Sequence, residues 1–381
     1  MYASTRSHTA EPSAPTPSTV FVVAPGGLHD RAGIGRLMTG VSRCWPTIRT
    51  HWRLRIIDPY GPAVLPIAPF FFARALLQIV WNAWRSRIGL LHVHMARGGS
   101  VLRKGIIVHL GARLGLPVIL HLHGPDLEML HRRLPPLGQR LLTRTLVRAQ
   151  RVVVLGDYWR RVTIDQFGVD AARVVVLPNG IAAPADVPAK RAPRSCRILF
   201  LGRIDPEKGL PELLDALADQ RLAGLEWSVR IAGGGAVHSF EKQAVALGLG
   251  ERVEFTGWVE EAQVRRWLAE ADVFVLPSHH EGLSMALLEA MAFGLAIVVT
   301  PVGATPDAIV DGVSGLLVPV GDAPALATAL YRVIADTALR AALQAAARQT
   351  FGARFDIAAH CRALSALYDE VHAAASVRPV C

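Results

Sequence analysis

From Val20 onward the chain repeats one pattern: a short, mainly apolar run, a turn often bearing glycine, then a longer stretch with helical spacing. In the first half the apolar runs fall at residues 20–24, 54–58, 90–94, 118–123, 151–155 and 174–177. In the second they fall at 198–201, 227–232, 253–256, 271–276, 296–300 and 315–318. Short apolar runs without alternation are strands covered on both faces, and strands alternating with helices predict open parallel sheets of the α/β class. Residues 182–195, with Pro184, Pro188 and Pro193, read as a linker between two such units. The tail, 356–371, reads as a helix through Ala359, Leu364, Leu367 and Tyr368.

Two helical stretches depart from the usual one-sided pattern. Residues 69–84, PFFFARALLQIVWNAW, are apolar on nearly every side. They suit a core helix between strands, or a helix half sunk in a membrane surface with Trp81 and Trp84 at the interface. Arg74, Arg85 and Arg87 would then face headgroups. Residues 136–150 carry Arg140, Arg144 and Arg148 four apart, after Arg132 and Arg133. Such a stripe is either a solvated face or a polybasic membrane patch.

Charge sharpens this division. The chain has 381 residues and a formal charge of +10; up to Ala189 it holds 23 Lys and Arg against 9 Asp and Glu, and thereafter 18 against 22. The two units are therefore expected to meet different partners, the basic one an anionic lipid, a nucleic acid or a phosphate-bearing acceptor. No run reaches the ~18 apolar residues of a membrane span. The Ser-, Thr- and Pro-rich opening, 1–19, lacks an apolar core and reads as a disordered tail, not a signal peptide. Four scattered cysteines, Cys44, Cys196, Cys361 and Cys381, fit a reduced cytoplasmic protein without structural zinc.

Candidate chemistry lies at strand ends. PSHHEGLSMALLEAMAFG, 277–294, puts Glu281-Gly282 in a turn, Ser284 as cap, and Glu289 inside the helix that follows. A strand, a glycine turn and a helix N-terminus offer free N–H groups to an anion. The two carboxylates are too far apart to touch and are expected to hold different parts of one extended ligand. GRIDPEKG places two cations, Arg203 and Lys208, around the turn after the first strand of the second unit, as a diphosphate requires. Gly233-Gly234-Gly235 follows the next strand, where a missing Cβ admits phosphate or base. In the first unit, Gly33 and Gly35 open a helix and His123-Gly124 ends the fourth apolar run. The pairs His92/His94 and His121/His123 each share a strand face, but no cysteine or carboxylate completes a metal set.

Taken together, Glu-x7-Glu within PSxxEG…LLEAMAxG, GRxxxxKG, GGG and HG resemble the retaining nucleotide-sugar glycosyltransferases of the GT-B fold, family 4 (group 1) type. The resemblance implies two facing Rossmann-like domains with an active-site cleft between them: 20–181 for the acceptor, 182–195 as linker, 196–355 for the nucleotide sugar, and 356–381 crossing back. It implies that Arg203 and Lys208 stabilise the departing diphosphate and that Glu281, Gly282 and Leu283 hold the sugar. Glu289 would hold the ribose, with Val259 at the base and Gly33, Gly35, Gly233 and Gly234 along the donor. His123 would orient sugar and phosphate. With no Asp-x-Asp, neither metal nor other cofactor is expected. Arg203 and Lys208 should face the cleft, so replacing either should leave folding intact. The basic half suggests a lipid-linked acceptor at the anionic inner face of the cell membrane, with no nucleic-acid role. A same-fold epimerase or hydrolase, or a non-catalytic membrane-surface protein, stands as an alternative.

Overall fold

The computed structural model describes residues 18–27, 33–61, 67–95, 99–124, 126–185 and 195–376. The opening tail up to residue 17, the insertion 28–31, Pro125, linker residues 186–194 and the last residues with Cys381 lie outside the described residues.

The first unit is a six-stranded parallel sheet ordered β2-β1-β3-β4-β5-β6. Its strands are β1 (Thr19–Val23), β2 (Arg53–Ile57), β3 (Leu90–Met95), β4 (Val118–Leu122), β5 (Arg151–Val154) and β6 (Val174–Val176). Between them run α1 (Gly33–Cys44), α2 (Ala68–Trp84), α3 (Gly99–Arg113), α4 (Asp126–Arg133), α5 (Pro136–Arg148) and α6 (Asp157–Asp165). β3 and β4 are buried at every position, as a central parallel strand requires.

The second unit repeats the plan in the order β12-β11-β10-β7-β8-β9. Its strands are β7 (Cys196–Leu201), β8 (Trp227–Ala232), β9 (Val253–Gly257), β10 (Val273–Leu276), β11 (Ala296–Val299) and β12 (Leu316–Leu317). Its helices are α7 (Leu210–Leu217), α8 (Gln220–Ala223), α9 (Val237–Ala246), α10 (Glu261–Glu270), α11 (Met285–Ala292), α12 (Thr305–Ala308), α13 (Ala323–Ala335) and α14 (Thr337–Arg354).

A last helix, α15 (Ile357–Ser376), returns to the first unit and packs on α1. Ser365 Oγ meets Thr50 Oγ1 at 2.7 Å, and Trp52 Nε1 donates to Asp369 at 2.8 Å. These bonds tie the end of the second unit to the first.

Of the two readings of 69–84, the core helix does not hold, and the helix has an exposed apolar side. Only Ala75, Ile79 and Asn82 of α2 are buried. Phe70, Leu77, Val80 and Trp81 face solvent, and Trp84 is 77% exposed. The reason is topological: α2 covers one outer face of the sheet, and among the described residues nothing covers α2 in turn. α3 packs against both α2 and α5 and adds exposed Leu102 and Ile106; α5 adds Leu137 and Leu141 beside its exposed arginines 140, 144 and 148. Among the described residues no helix is long and apolar enough to cross a membrane.

Candidate active site

In open parallel sheets ligands bind beyond the C-terminal ends of the strands. Here those ends bring the predicted motifs of both units to one cleft.

The turn after β10 is built first. Thr300 Oγ1 donates to the Ser278 carbonyl, and Ser284 Oγ caps α11 by accepting from Leu287 N–H at 3.3 Å. Between them Glu281 is fixed: its Oε1 accepts from Ser278 Oγ at 2.9 Å and from Lys208 Nζ at 2.6 Å. The pair is largely withdrawn from water, with side-chain exposures of 13% for Glu281 and 22% for Lys208. Lys208 thus supports a neighbouring buried carboxylate, so its replacement is not expected to leave folding untouched. The same turn leans on Gly303, at φ +55°, where a Cβ would stand 2.0 Å from the Glu281 carbonyl. Leu283 is buried, and Asn179 Nδ2 reaches its carbonyl at 3.4 Å.

The turn after β7 is set by Asp205, whose carboxylate accepts from Lys208 N–H at 3.0 Å. Gly209, at φ +73°, leaves room for the Pro277 carbonyl, 2.0 Å from where a Cβ would lie. This close approach aims Lys208 at Glu281. Arg203 is 46% exposed, engages Asp205 through Nε, and meets Glu207 at 3.3 Å through Nη2. Gly233, Gly234 and Gly235 all line the space between the units, and two of them also admit a close backbone approach. A Cβ on Gly233 would meet the Gly202 carbonyl at 1.7 Å, and one on Gly235 the Ile204 carbonyl at 2.3 Å. They let the β7 and β8 loops lie together; only Gly234 faces open space.

Across the cleft, Gly33 starts α1, where a Cβ would lie 3.5 Å from Met285 Cγ, and Gly35 is buried inside the helix. The next contact has no signal in the sequence. Arg36, one residue beyond, forms an ion pair with Glu289 of the second unit. Glu289 Oε2 is buried with no partner among the described residues. Burial pulls the Arg36 guanidinium pKa down, and the nearby Glu261 carboxylate opposes that. Arg36, Arg203, Gly234, Val259 and Glu289 line one cavity of 1170 Å³ between the units. Lys208, Glu281 and His123 are not on its wall.

His123 is joined to the second unit through backbone. A Cβ on Gly282 would lie 2.7 Å from the His123 carbonyl, so glycine is what lets the two turns meet. Trp159 Nε1 donates to the Gly282 carbonyl at 3.0 Å from the first unit. Nearby, a Cβ on Gly156 would clash with Ala304 and Asp307, and one on Gly180 with His360. The His123 ring bonds through Nε2 to His94 Nδ1 at 2.6 Å. Burial, aided by repulsion from His360, pushes its pKa down to about 3. It is a neutral imidazole at physiological pH, able to orient a ligand but a weak proton acceptor.

Comparison with known proteins agrees with this architecture. The family model for glycosyl transferases group 1 matches residues 188–350, and that for glycosyltransferase family 4 matches residues 19–183. The lipopolysaccharide core biosynthesis glycosyltransferase LpsE of Rhizobium meliloti is 32% identical over 54% of this chain, which spans 57% of LpsE. The alpha-D-kanosaminyltransferase of Streptomyces kanamyceticus is 27% identical over 78% of this chain and 82% of its own. The structure of Anabaena Alr3699/HepE in complex with UDP-glucose superposes with a TM-score of 0.72 at 18% identity, covering 92% of this chain and 99% of that one.

Proposed function

As the chain belongs to the glycosyltransferases of group 1 and family 4, with the GT-B fold, we propose that it moves a sugar from a nucleotide-sugar donor to an acceptor with retention of anomeric configuration. The observation that carries this is the interdomain cavity, which presents Glu289 with a free buried oxygen beside Arg203 and Gly234. A nucleoside diphosphate fits that set: Glu289 for ribose hydroxyls, the backbone at Val259 for the base, and Arg203 for phosphate. HepE was crystallised with UDP-glucose, and a donor of that class is the one inferred here.

Breaking the glycosyl–phosphate bond leaves negative charge on the diphosphate and positive character on the sugar. Arg203 and Lys208 offset the first without a metal at the phosphates. Glu281, with the backbone at Gly282 and Leu283, holds the sugar. His123, neutral and positioned across the Gly282 contact, orients the reacting groups; same-face attack delivers the acceptor proton to the leaving phosphate.

The acceptor is inferred to be a lipid-linked saccharide, consistent with a role in polysaccharide or glycolipid synthesis at the inner membrane face. The exposed apolar residues of α2, α3 and α5 beside the arginine stripe support this. The Trp81 and Trp84 rings pack at 5.7 Å, and the Arg85 guanidinium lies 4.0 Å from the Trp81 ring, an arrangement suited to a headgroup boundary.

A panel of nucleotide sugars, screened by melting temperature and then by transfer, tests the reading. One nucleotide class should stabilise the protein and support turnover with no requirement for added Mg2+. The product's anomeric coupling constant should match the donor's. Inversion, or release of free sugar at the same rate with and without acceptor, would refute it.

A further inference from the structure

The two histidine pairs read strand by strand in the sequence become one cluster in the fold. β3 and β4 run parallel with His94 opposite His121. Side chains two apart share a face, so His92, His94, His121 and His123 pack side by side, with neighbouring ring centroids 4.1–5.5 Å apart. The first three are wholly buried.

Their hydrogen bonds are one-sided. His92 Nδ1 meets the Tyr368 hydroxyl at 2.7 Å, and His94 Nδ1 meets His123 Nε2 at 2.6 Å. The Nε2 atoms of His92 and His94, and both ring nitrogens of His121, are buried with no partner among the described residues. One nitrogen from each of the three rings lies within 4.8 Å of the others. A buried polar atom without a partner is costly, so several gathered at one point call for a common occupant.

We propose that His92, His94 and His121 form a buried three-imidazole site for a late first-row metal ion of the Zn2+ type. The donor set is all nitrogen, which suits Zn2+ or Co2+ and not the oxygen-seeking Mg2+ or Ca2+. Three imidazoles with a water or hydroxide in the fourth position are an established zinc arrangement, and hydroxide offsets part of the ion's charge. Bonds of about 2.1 Å in tetrahedral geometry need ligand nitrogens about 3.4 Å apart. The rings lie nearly parallel, with interplanar angles of 3–32°, so loading requires them to rotate until their lone pairs converge on the ion.

Two of the three ligands, His92 and His94, have at Nδ1 the outer partner that such ligands use, and His121 has none among the described residues. With Nε2 given to the metal, His92 Nδ1–H donates to Tyr368 and His94 Nδ1–H donates to His123 Nε2. His123 must then carry its own proton on Nδ1. The metal thus sits behind the reacting groups, apart from Arg203 and Lys208, and fixes one tautomer of His123.

Co2+ is the probe. Chelator-stripped full-length protein, titrated with Co2+, should show the visible d–d bands of a tetrahedral ion and saturate at one equivalent per chain. Zn2+ should displace it and raise the melting temperature. Tyr368→Phe should weaken affinity by about 10–100-fold, the effect of losing an outer partner. His92→Asn and His121→Asn should abolish the bands while retaining nucleoside diphosphate binding, which reports folding in the other unit. If those variants fail to fold, the wild-type spectrum and stoichiometry decide alone. No stoichiometric Co2+ in the wild type, or undiminished binding in folded His92→Asn and His121→Asn proteins, would overturn the site; ordered water would then satisfy the three rings.

Discussion

Lys208 is expected to matter to folding as well as to catalysis, and the two contributions separate experimentally. Its ammonium lies 2.6 Å from Glu281 Oε1, with both side chains mostly out of water. At an effective dielectric of ~20, that contact is about 6 kcal/mol of Coulomb attraction, most of it cancelled by desolvation. Removing one partner of a fully buried pair typically costs about 3–5 kcal/mol, because the other charge is stranded. Residual exposure and the bond from Ser278 Oγ soften this, so Lys208→Met should destabilise by about 2–3 kcal/mol. Glu281→Gln keeps an acceptor for both donors and should cost about 1 kcal/mol. The double variant strands no charge and should cost about 2 kcal/mol, leaving a coupling of at least ~1 kcal/mol. Urea denaturation with unchanged slope measures each value. Additivity of the single changes within ~0.5 kcal/mol would show that the pair does not hold the turn. On the proposed role of Lys208 at the phosphate, Lys208→Met should meanwhile also lose about 2–4 kcal/mol of transition-state stabilisation in turnover.

Glu289→Ala should mainly weaken nucleoside diphosphate binding, by about 10–100-fold for lost ribose hydrogen bonds, whereas Glu281→Gln should mainly slow transfer; calorimetry showing equal affinity losses would refute that division. Lys104 is buried without a partner, and desolvation lowers its pKa from 10.5 to about 7. The unfolded chain therefore binds the extra proton between about pH 7 and 10.5, stability rises with pH across that window, and the full penalty stands below it. Lys104→Met should accordingly raise the melting temperature most at about pH 6, on the order of 4 kcal/mol, and little near pH 10; an equal gain at both would exclude the charge as cause. Finally, the protein should sediment with anionic vesicles, less so in salt, and less when Arg140, Arg144 and Arg148 become glutamine, each basic residue contributing ~1 kcal/mol. Indifference to lipid charge would leave the apolar face of α2 without a membrane role.

What the chain revealed in advance was what is local. Apolar runs marked the strands, because a parallel strand covered on both faces must be apolar throughout. Ser284 was legible as a cap since it precedes an uninterrupted apolar helix, and Glu281 and Glu289 were placed by spacing alone. Relations between distant segments were not legible. Arg36 and Glu289 meet only because two sheets face each other, and nothing around either residue announces the pairing. Gly233 was legible as a position of close approach, but not that the Gly202 carbonyl would be one neighbour there while the residue also lines the cavity. The histidine cluster needed the register of β3 on β4. The helix 68–84 stayed open between two readings for the opposite reason: composition reports how apolar a surface is, not whether anything covers it.

The glycines along the seam have a mechanical consequence. At Gly282 the two domains touch through main chain, with Gly156 and Gly180 packed as tightly nearby. The two turns therefore meet like jaws whose spacing is set by backbone, a distance that no rotamer can change. On the proposed function, side chains lining the pocket are free to vary while this spacing stays constant. A single added methyl at Gly282 would act as a shim, holding the jaws apart by about the width of a carbon atom. It would spoil alignment for every donor alike, whatever the pocket had been shaped to accept.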